Sequence, residues 1–359
     1  MHNIRLLWAA NIETTLQRRQ TRINRRKMVQ IVEMEELEFI HRFRLDKQSF
    51  WRLCDDLRCL TSLKGTQEIS LEIKVLCTLR FLATGSYQRI VGLTQHLVQR
   101  TASRCIRQVV EALSHPAIIN KWILFPRSQQ QRAQIRLEFQ RRFRLLGIVG
   151  CIDCTHVAIV KPSDDEHLFF NRKGYHSLNV QMVCDSNLKI TNVNPKFGRA
   201  THDSFIWASS RMETFMRELH QNGEQVWLLG DSGYPQRPWL MTPILNAIPG
   251  SVEDTIYTQR HVQARNCIER CFGLLKSRWR CLLRHRTLHY HPVVAGKIVL
   301  ACCVLHNMAL EANLPPPSIM EVEEDDAQPE NAFDSVGAAS SQSELLQGRA
   351  VLNNLLSRL

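Results

Sequence analysis

The chain has 359 residues, 44% of them hydrophobic, and a formal net charge of +12 at pH 7. A chain of this length can bury at least one complete hydrophobic core, and about two domains are expected. No stretch approaches the ~18–20 uncharged apolar residues of a membrane span, and the opening apolar run, residues 6–10, is too short for a secretory signal. We therefore expect a cytosolic or nuclear protein without membrane contact.

Positive charge is concentrated in the first part of the chain. Residues 1–145 contain 26 Lys and Arg against 12 Asp and Glu, residues 146–312 contain 18 against 14, and residues 313–359 contain 2 against 8. This asymmetry predicts that the first part contacts a polyanion such as a nucleic acid. Many basic proteins bind no specific polyanion, so composition alone does not identify DNA.

Composition and hydrophobic periodicity divide the chain into four segments. They are a basic helical arm (1–40), a helical domain (41–145), a domain that alternates strands with helices (146–312) and an acidic disordered tail (313–359). The arm carries an Arg-rich run from Arg18 to Lys27, which is either a nuclear import signal or a solvated helix face. The tail is too polar to bury a core up to about Gly348, and its Leu-rich end, Leu345 to Leu359, could form a short docking helix.

Twelve cysteines are scattered over the chain, many of them inside apolar runs. This distribution predicts buried free thiols and not a disulfide framework. The spacing Cys151-x-x-Cys154 is also that of half a zinc site. The nearest second pair, Cys267 and Cys271, falls within a predicted amphipathic helix, so structural zinc is an alternative without clear support.

Three segments of the helical domain have the spacing of a helix-turn-helix. Apolar residues recur at helical spacing over residues 71–83, 87–97 and 102–113, with breaks at Gly85 and near Gln99. In the third segment Arg104 and Arg107 are predicted to face outward, where they could contact DNA in the major groove. The alternative is an ordinary helical bundle with a solvated Arg face.

Strand patterns open the next domain. Three β-rich runs, residues 148–160, 180–184 and 190–193, precede a helical stretch over 203–220 and a fourth strand over 226–229. The order β-β-β-α-β-α predicts a mixed α/β sheet in which the first and fourth strands lie side by side.

Each of those two strands carries a carboxylate, Asp153 in the first and Asp231 at the end of the fourth. A carboxylate in an apolar strand requires compensation, and Mg²⁺ or Mn²⁺ held by few carboxylates and substrate phosphate provides it. Two such ions could support phosphodiester cleavage. Alternatively, Asp153 ends a strand and Asp231 belongs to a Gly-flanked turn.

A third carboxylate, Glu269, lies in an amphipathic helix predicted over residues 267–283. Glu269, Gly273, Lys276 and Arg280 fall on one stripe, so that Glu269 could face the site while Lys276 and Arg280 reach towards phosphate. Gly273 would leave room for a ligand or backbone. The alternative is a Glu269–Arg270 pair on a solvated face.

Two polar motifs complete the pattern. Asn171, Arg172, Lys173 and His176 form a cluster between strands that either grips a DNA backbone or is a solvated loop. The pair His306-Asn307 follows an apolar helical run and is interpreted as a satisfied helix-end pair outside the site.

Six motifs stand in an order that resembles PIF/Harbinger transposases, and the resemblance covers about residues 40–312. The motifs are Cys151-Ile152-Asp153-Cys154-Thr155-His156, Asn171-Arg172-Lys173-Gly174-Tyr175-His176, His202-Asp203-Ser204, Gly230-Asp231-Ser232-Gly233-Tyr234-Pro235, Ile268-Glu269-Arg270-Cys271-Phe272-Gly273 and Leu305-His306-Asn307. Where that family usually has Asp-Gly-Thr and Trp-Pro-Gly, this chain has Asp153-Cys154-Thr155 and Lys196-Phe197-Gly198. Neither departure removes a carboxylate, but both leave transposition competence open.

The resemblance implies an RNase H-like catalytic domain of the DDE type that binds Mg²⁺ or Mn²⁺. Asp153, Asp231 and Glu269 match the family's catalytic triad, and Asp203 matches a fourth acidic metal ligand, although spacing alone makes Asp203 a helix N-cap. It further implies a Myb-like partner protein and a nuclear location, with the cytoplasm as a second compartment. The oligomeric state and the recognised DNA sequence are not predicted.

Two functions are therefore weighed. The leading hypothesis is a metal-dependent DNA endonuclease of transposase origin, with transposase activity retained or lost. The alternative is a catalytically silent DNA-binding or adaptor protein. Loss of a metal-ligating carboxylate would favour the second, and none is lost.

Overall fold

The computed structural model describes residues 12, 14–18, 33–171, 173–198, 202–245, 251–317 and 342–357. Seven helices lie between residues 36 and 143. They are α1 (Glu36–Phe43), α2 (Lys47–Leu60), α3 (Leu71–Thr84), α4 (Gln88–Thr94), α5 (Gln99–Leu113), α6 (Pro116–Trp122) and α7 (Gln129–Phe143). Residues 14–18 are also helical, whereas Arg19 to Lys27 of the predicted arm lie outside the described residues.

Strands dominate the following segment, and helices close it. In chain order the elements are β1 (Ile148–Ala158), α8 (Glu166–Phe169), β2 (Ser177–Cys184), β3 (Ile190–Gly198), α9 (Asp203–Ala208), α10 (Arg211–Gln221), β4 (Trp227–Leu229), β5 (Leu240–Met241), α11 (Val252–Arg278), α12 (Pro292–Glu311) and α13 (Gln342–Leu356). Two single-turn 3-10 helices, Arg280–Leu282 and Arg284–Arg286, connect α11 to α12.

The five strands form one mixed sheet in the order β3-β2-β1-β4-β5. Strand β1 is antiparallel to β2 and parallel to β4, with Cys151 beside Leu229. The predicted adjacency of the first and fourth strands is therefore confirmed. Strand β5 was not predicted, because two residues carry too little alternation to be recognised.

The two faces of β1 are covered by different helices. Cys151 and Val157 pack in the core shared with α11 and α12, whereas Ile152 packs against Trp207 of α9 and Met216 of α10. Since side chains alternate along a strand, Asp153 lies on the α11 face and Cys154 on the α10 face.

Helix α12 is the central core helix. It is the one helix among the described residues that is long and apolar enough to cross a membrane, so the prediction that no stretch approaches a membrane span was wrong for these residues. However, 72% of the apolar window of this helix is buried, as in the core helix of a folded domain. It packs on β3 as well as on α5 and α6. One hydrophobic cluster contains residues from Phe39 to Leu355, so the change from helices to strands near residue 145 occurs within one packed core.

The acidic tail ends in a helix. Helix α13 begins at Gln342, so the prediction of disorder up to about Gly348 is wrong for residues 342–348, while 318–341 lie outside the described residues. Leu355 of this helix is buried, and Glu344 pairs with Arg217 at 2.6 Å and with Arg237 at 3.3 Å. The average composition of the tail gives no sign of these contacts. The predicted docking helix is confirmed.

Asn307 joins α12 to two other elements. Its Oδ1 accepts a hydrogen bond from the backbone N–H of Ile190 (2.9 Å), and its Nδ2 donates to the carbonyls of Trp122 (2.8 Å) and Ile190 (2.7 Å). His306 contacts the Leu188 carbonyl at 2.9 Å through Nε2. Both residues are buried inside α12, so they are satisfied structural groups as expected, although they do not end the helix.

Asn307→Leu should therefore destabilise the fold by about 3 kcal/mol, because it removes three hydrogen bonds and leaves buried backbone groups without partners. Urea unfolding of the purified variant measures this loss. The matched control is Asn353→Leu at an exposed position of α13, where a change within about 0.5 kcal/mol is expected. Equal stability of the two variants would contradict the structural role of Asn307.

Candidate active site beside the ends of strands β1 and β4

Asp153 lies in β1, and Asp231 lies in the turn that follows the neighbouring parallel strand β4. In the sequence, Asp153 comes two residues after Cys151 and Asp231 two residues after Leu229, and Cys151 and Leu229 are paired across the two strands. The negative charge of Asp231 contributes to the raised pKa of Asp153, so the two carboxylates repel each other. The parallel pairing of β1 with β4 thus gathers two acidic side chains that are 78 positions apart in the sequence.

Asp153 is largely enclosed. Its side chain is 16% exposed; Oδ1 accepts a hydrogen bond from the backbone N–H of Cys154 (2.7 Å) and Oδ2 accepts one from Nη1 of Arg265 (2.8 Å). Burial, followed by the charge of Asp231, raises the pKa of Asp153 to about 7, although Arg265 and the Cys154 N–H act in the opposite direction. One buried cation therefore compensates this carboxylate only in part.

Arg265 also links Glu269 to Asp153. Its second terminal nitrogen, Nη2, donates to Oε1 of Glu269, one turn further along α11. Glu269 therefore pairs with Arg265 and not with Arg270, the alternative considered from the sequence. We did not predict Arg265, although a basic residue four positions before Glu269, on the same helical face, was the available signal.

Asp231 sits in the turn that follows β4. Its Oδ1 accepts a hydrogen bond from the backbone N–H of Gly233 at 3.0 Å. A Cβ atom at Gly233 would lie 3.2 Å from the same oxygen, so a side chain there would crowd the carboxylate. The turn chemistry considered as an alternative is thus present, and it orients a carboxylate that also interacts with Asp153.

Asp203 is placed differently from the other three acidic residues. It is the first residue of α9, whose N-cap is His202, so the N-cap prediction was wrong by one position. Its Oδ1 accepts a hydrogen bond from Nδ2 of Asn179 at 2.8 Å, on the Cys154 face of β1. The negative charge of Asp203 also raises the pKa of Asp153, but less than burial and the charge of Asp231 do.

Cys154, which stands where the resembling family usually has glycine, packs against Tyr234. Its Sγ lies 3.5 Å from the buried Tyr234 hydroxyl, on the opposite face from Asp153 and Arg265. Cys151 instead donates from its Sγ to the Ala264 carbonyl at 3.2 Å. Since the two thiols face opposite sides of β1, the CxxC spacing does not form half a zinc site, and all twelve cysteines are free.

The acidic residues have the chemistry of a hard-cation site, since carboxylate oxygens are the donors that Mg²⁺ and Mn²⁺ prefer. The mutually repelling carboxylates of Asp153, which is largely enclosed, and Asp231, which is partly exposed, fit such an ion. Within the described ranges, however, no three His, Cys, Asp or Glu side chains are close enough to coordinate one ion. The Arg265 guanidinium occupies the carboxylate oxygens of Asp153 and Glu269, so metal binding requires Arg265 to release them.

The predicted DNA-contacting residues are dispersed. Arg104 and Arg107 are exposed on α5 and Lys173 is exposed in the loop before β2, while Arg172 lies outside the described residues. Asn171 is buried and holds that loop, accepting hydrogen bonds from the backbone N–H groups of Lys173 (2.9 Å) and Tyr175 (3.2 Å).

The predicted stripe from Glu269 to Arg280 is interrupted, because α11 ends at Arg278 and Arg280 lies in a separate turn whose backbone approaches Gly85. Between them, Cys271 contacts the Leu188 carbonyl in the turn after β2. Helix α11 therefore runs away from the carboxylates, and Lys276 lies about 10 Å along it from Glu269. Gly273 is exposed, and nothing in the described chain approaches it.

The raised pKa of Asp153 predicts a pH-dependent stability. The unfolded pKa is near 4, so between about pH 4 and 7 the folded state holds a proton that the unfolded state has lost, and wild-type stability falls as pH rises through this window. Asp153→Asn has no ionisable group at this position, so this fall in stability with rising pH should be absent from the variant. Its melting temperature in EDTA, relative to wild type, should rise by a few degrees from about pH 5 to about pH 8.

The control for this measurement is Asp164→Asn, which changes an exposed carboxylate and should give a constant difference from wild type. A constant difference for Asp153→Asn as well would contradict the buried, repelled state of Asp153.

Comparison with known proteins agrees with this arrangement. Residues 152–307 match the family model described as "DDE superfamily endonuclease". The chain is 35% identical to "Putative nuclease HARBI1" of Xenopus laevis over 251 residues, covering 69% of this chain and 70% of that protein. The human protein of the same name is 36% identical, with 68% and 69% covered.

A more distant relative is "Protein ALP1-like" of Arabidopsis thaliana, 24% identical over 291 residues, with 75% of this chain and 70% of that protein covered. No solved structure matches the chain. The relation to the HARBI1 proteins spans about two thirds of both chains, and the match to the family model includes Asp153, Asp231 and Glu269. The chain belongs to the family of Harbinger transposase-derived nucleases and contains a DDE superfamily endonuclease domain.

Proposed function

We propose that this protein is a divalent-metal-dependent DNA endonuclease in which Asp153, Asp231 and Glu269 form the catalytic carboxylate set. The observation that carries the proposal is that Asp153 in β1 and Asp231, just after the adjacent parallel strand β4, repel each other, while Arg265 pairs with both Asp153 and Glu269. The sheet order β3-β2-β1-β4-β5, with its three antiparallel strands followed by parallel β4 and β5, supports an RNase H-like core.

Asp153, Asp231 and Glu269 would hold Mg²⁺ or Mn²⁺, with Asp203 as a fourth ligand only if its side chain leaves Asn179. The bound cations would activate water and neutralise charge on the leaving oxygen. The chain's own contribution is orientation. The Cys154 and Gly233 N–H groups fix the first two carboxylates, and Arg265, once displaced from them, is close enough to contact a substrate phosphate.

Asp153 must be ionised to act as a ligand. Because its pKa is raised to about 7, the site favours cation binding at neutral to alkaline pH, where Asp153 is charged. The negative charges of Asp231 and Asp203 repel that of ionised Asp153, and a bound cation would offset this repulsion. Without a cation, the same repulsion would destabilise the folded protein.

The alternative function is a catalytically silent DNA-binding or adaptor protein. The complete carboxylate set disfavours it, since a protein that only binds DNA has no need for acidic groups that repel phosphate. Both functions include DNA binding, so only cleavage distinguishes them. A Myb-like partner protein and a nuclear location remain predictions; partner-dependent binding of terminal-repeat DNA would test the first.

Asp153→Asn and Asp231→Asn should each reduce Mn²⁺-dependent nicking of supercoiled DNA by at least about 10³-fold, because each removes a charged ligand while keeping the side-chain shape. The measurement is conversion of supercoiled plasmid to open circles. Asp164→Asn, at an exposed carboxylate, is the matched control and should cleave like wild type. Normal nicking by both site variants would refute the assignment, and absent nicking by wild type with intact DNA binding would favour the silent adaptor.

Arg265→Gln should tighten Mn²⁺ binding by about tenfold at alkaline pH, since a cation that competes for Asp153 and Glu269 is removed. Calorimetric titration of the protein with Mn²⁺, without DNA, measures this. Arg270→Gln changes an exposed neighbour on the same helix and should bind the ion much as wild type does. Weaker binding by the Arg265 variant would mean that Arg265 supports the ligand geometry instead of competing with the ion.

A further inference from the structure

Two adjacent cavities lie beyond the carboxyl end of β1. The first, of about 350 Å³, is lined by Ala158, Ile159, Tyr175, His176, Arg284, His285 and Thr287. The second, of about 420 Å³, lies between α3, the start of α4 and the segment 285–290. The two share His285 and Thr287, and together they form one depression that we call the basic cleft.

Of the residues that the structure describes, those lining the cleft include six basic side chains and no acidic one. Its charged and titratable lining residues are Arg89, Arg284, Arg286, His176, His285 and His289. Of these, His176 contacts Glu166, which lies outside the lining, at 3.0 Å. Among the described residues, Arg89, Arg284 and Arg286 form no ion pair with a carboxylate, and Nε of Arg286 is buried without a hydrogen-bond partner. The cleft thus holds uncompensated positive charge.

Aromatic rings alternate with these cations. Tyr87, at the entry of α4, is 74% exposed, a large fraction for an aromatic side chain. The guanidinium of Arg284 lies 4.7 Å from the ring centroid of Tyr175, and Tyr290 lines the second cavity. Guanidinium groups supply donors to phosphate oxygens, and exposed tyrosines stack on bases or pack on sugars.

The segment that carries Arg284 and Arg286 is attached to the strand that carries Asp153. The backbone N–H of Leu288 donates to the Ala158 carbonyl, and that of Val160 donates to the Leu288 carbonyl, both at 3.0 Å. Ala158 is five residues from Asp153 along β1. At ~3.3 Å per residue, the cleft begins about 16 Å from the carboxylates, which is the length of roughly five base pairs.

The helical domain continues the same charged surface. Burial raises the pKa of Tyr290, and the positive charge of Arg107 on α5 acts in the opposite direction, so Arg107 lies within electrostatic reach of the cleft. Gln99, the first residue of α5, lines the second cavity. The exposed face of α5 that carries Arg104 and Arg107 therefore borders the cleft.

We propose that the basic cleft binds the phosphodiester backbone of duplex DNA about five base pairs from the bond to be cleaved, through Arg89, Arg284 and Arg286. This rests on the proposed DNA-cleaving function, but it assigns a binding surface separate from the carboxylates. Charge complementarity selects the ligand, since three uncompensated guanidinium groups and an unmet N–H donor favour a polyanion rich in acceptor oxygens. One DNA duplex bound in the cleft would contact both the helical domain and the segment attached to the sheet.

The test is a triple variant, Arg89→Gln/Arg284→Gln/Arg286→Gln, in the full-length protein. Its matched control is Arg127→Gln/Arg141→Gln/Arg211→Gln, which removes the same charge at exposed arginines outside the cleft. Binding of a fluorescent duplex of about 30 base pairs is measured by anisotropy in EDTA as a function of NaCl concentration. We expect the cleft variant to raise Kd at least tenfold and to lower the salt slope by about 2 to 3, with the control close to wild type. Equal Kd and slope for the two variants would overturn the proposal.

A second measurement on wild-type protein covers the case in which the triple variant misfolds. Phenylglyoxal modification with and without duplex should show protection of Arg89, Arg284 and Arg286 and none of Arg127, Arg141 and Arg211. Unprotected cleft arginines would overturn the proposal. Failure of the proposed cleft can be distinguished from failure of the catalytic assignment, because DNA binding in EDTA does not require the carboxylates. Nicking that survives in Asp153→Asn refutes the catalytic role alone.

Discussion

The structure depends on burying negative charge beside the sheet without neutralising it completely. An ionised carboxylate in an apolar strand is expensive, and the usual remedy is a fully paired, hydrogen-bonded ion pair. Here one guanidinium serves two carboxylates, Asp153 and Glu269, while the negative charge of Asp231 repels that of Asp153. Burial, followed by this repulsion, raises the pKa of Asp153 to about 7, and Arg265 offsets the shift only in part.

Helix α11 is the element that makes this balance possible. Its 27 residues allow its first half to lie over β5 and β4, with Tyr257 bonded to the Thr242 carbonyl at 3.1 Å, while its second half packs against the turn after β2. Arg265 and Glu269 fall at the point where the helix passes β1. A shorter helix beginning at residue 267, as the apolar periodicity alone predicted, would omit Arg265 and leave Asp153 without its cation.

The proposed catalytic site and the proposed DNA-binding cleft occupy separate parts of the structure. The acidic groups beside β1 and β4 repel phosphate, so the proposed nuclease requires positive charge elsewhere to hold DNA. The charge excess of the first 145 residues showed that positive charge is concentrated there, but not which basic residues come together in the fold. Packing brings residues from α4 and from the segment 284–290 together at the far end of β1, where neither region alone forms a basic surface.

The sequence by itself determined the elements that local patterns encode. The β-rich run of β1, the order of strands and helices and the adjacency of β1 and β4 could be predicted, because residue preference and motif order are read directly from the sequence. The same motifs gave Asp153, Asp231 and Glu269 as candidate metal ligands. Tertiary structure alone decided the contacts between distant positions. These are the Arg265 bridge, the single core joined by α12, the separation of Asp203 from the α11 face and the end of α11 before Arg280. The physical reason is that salt bridges, cavities and core packing depend on which residues meet across the fold, and no local pattern specifies that meeting.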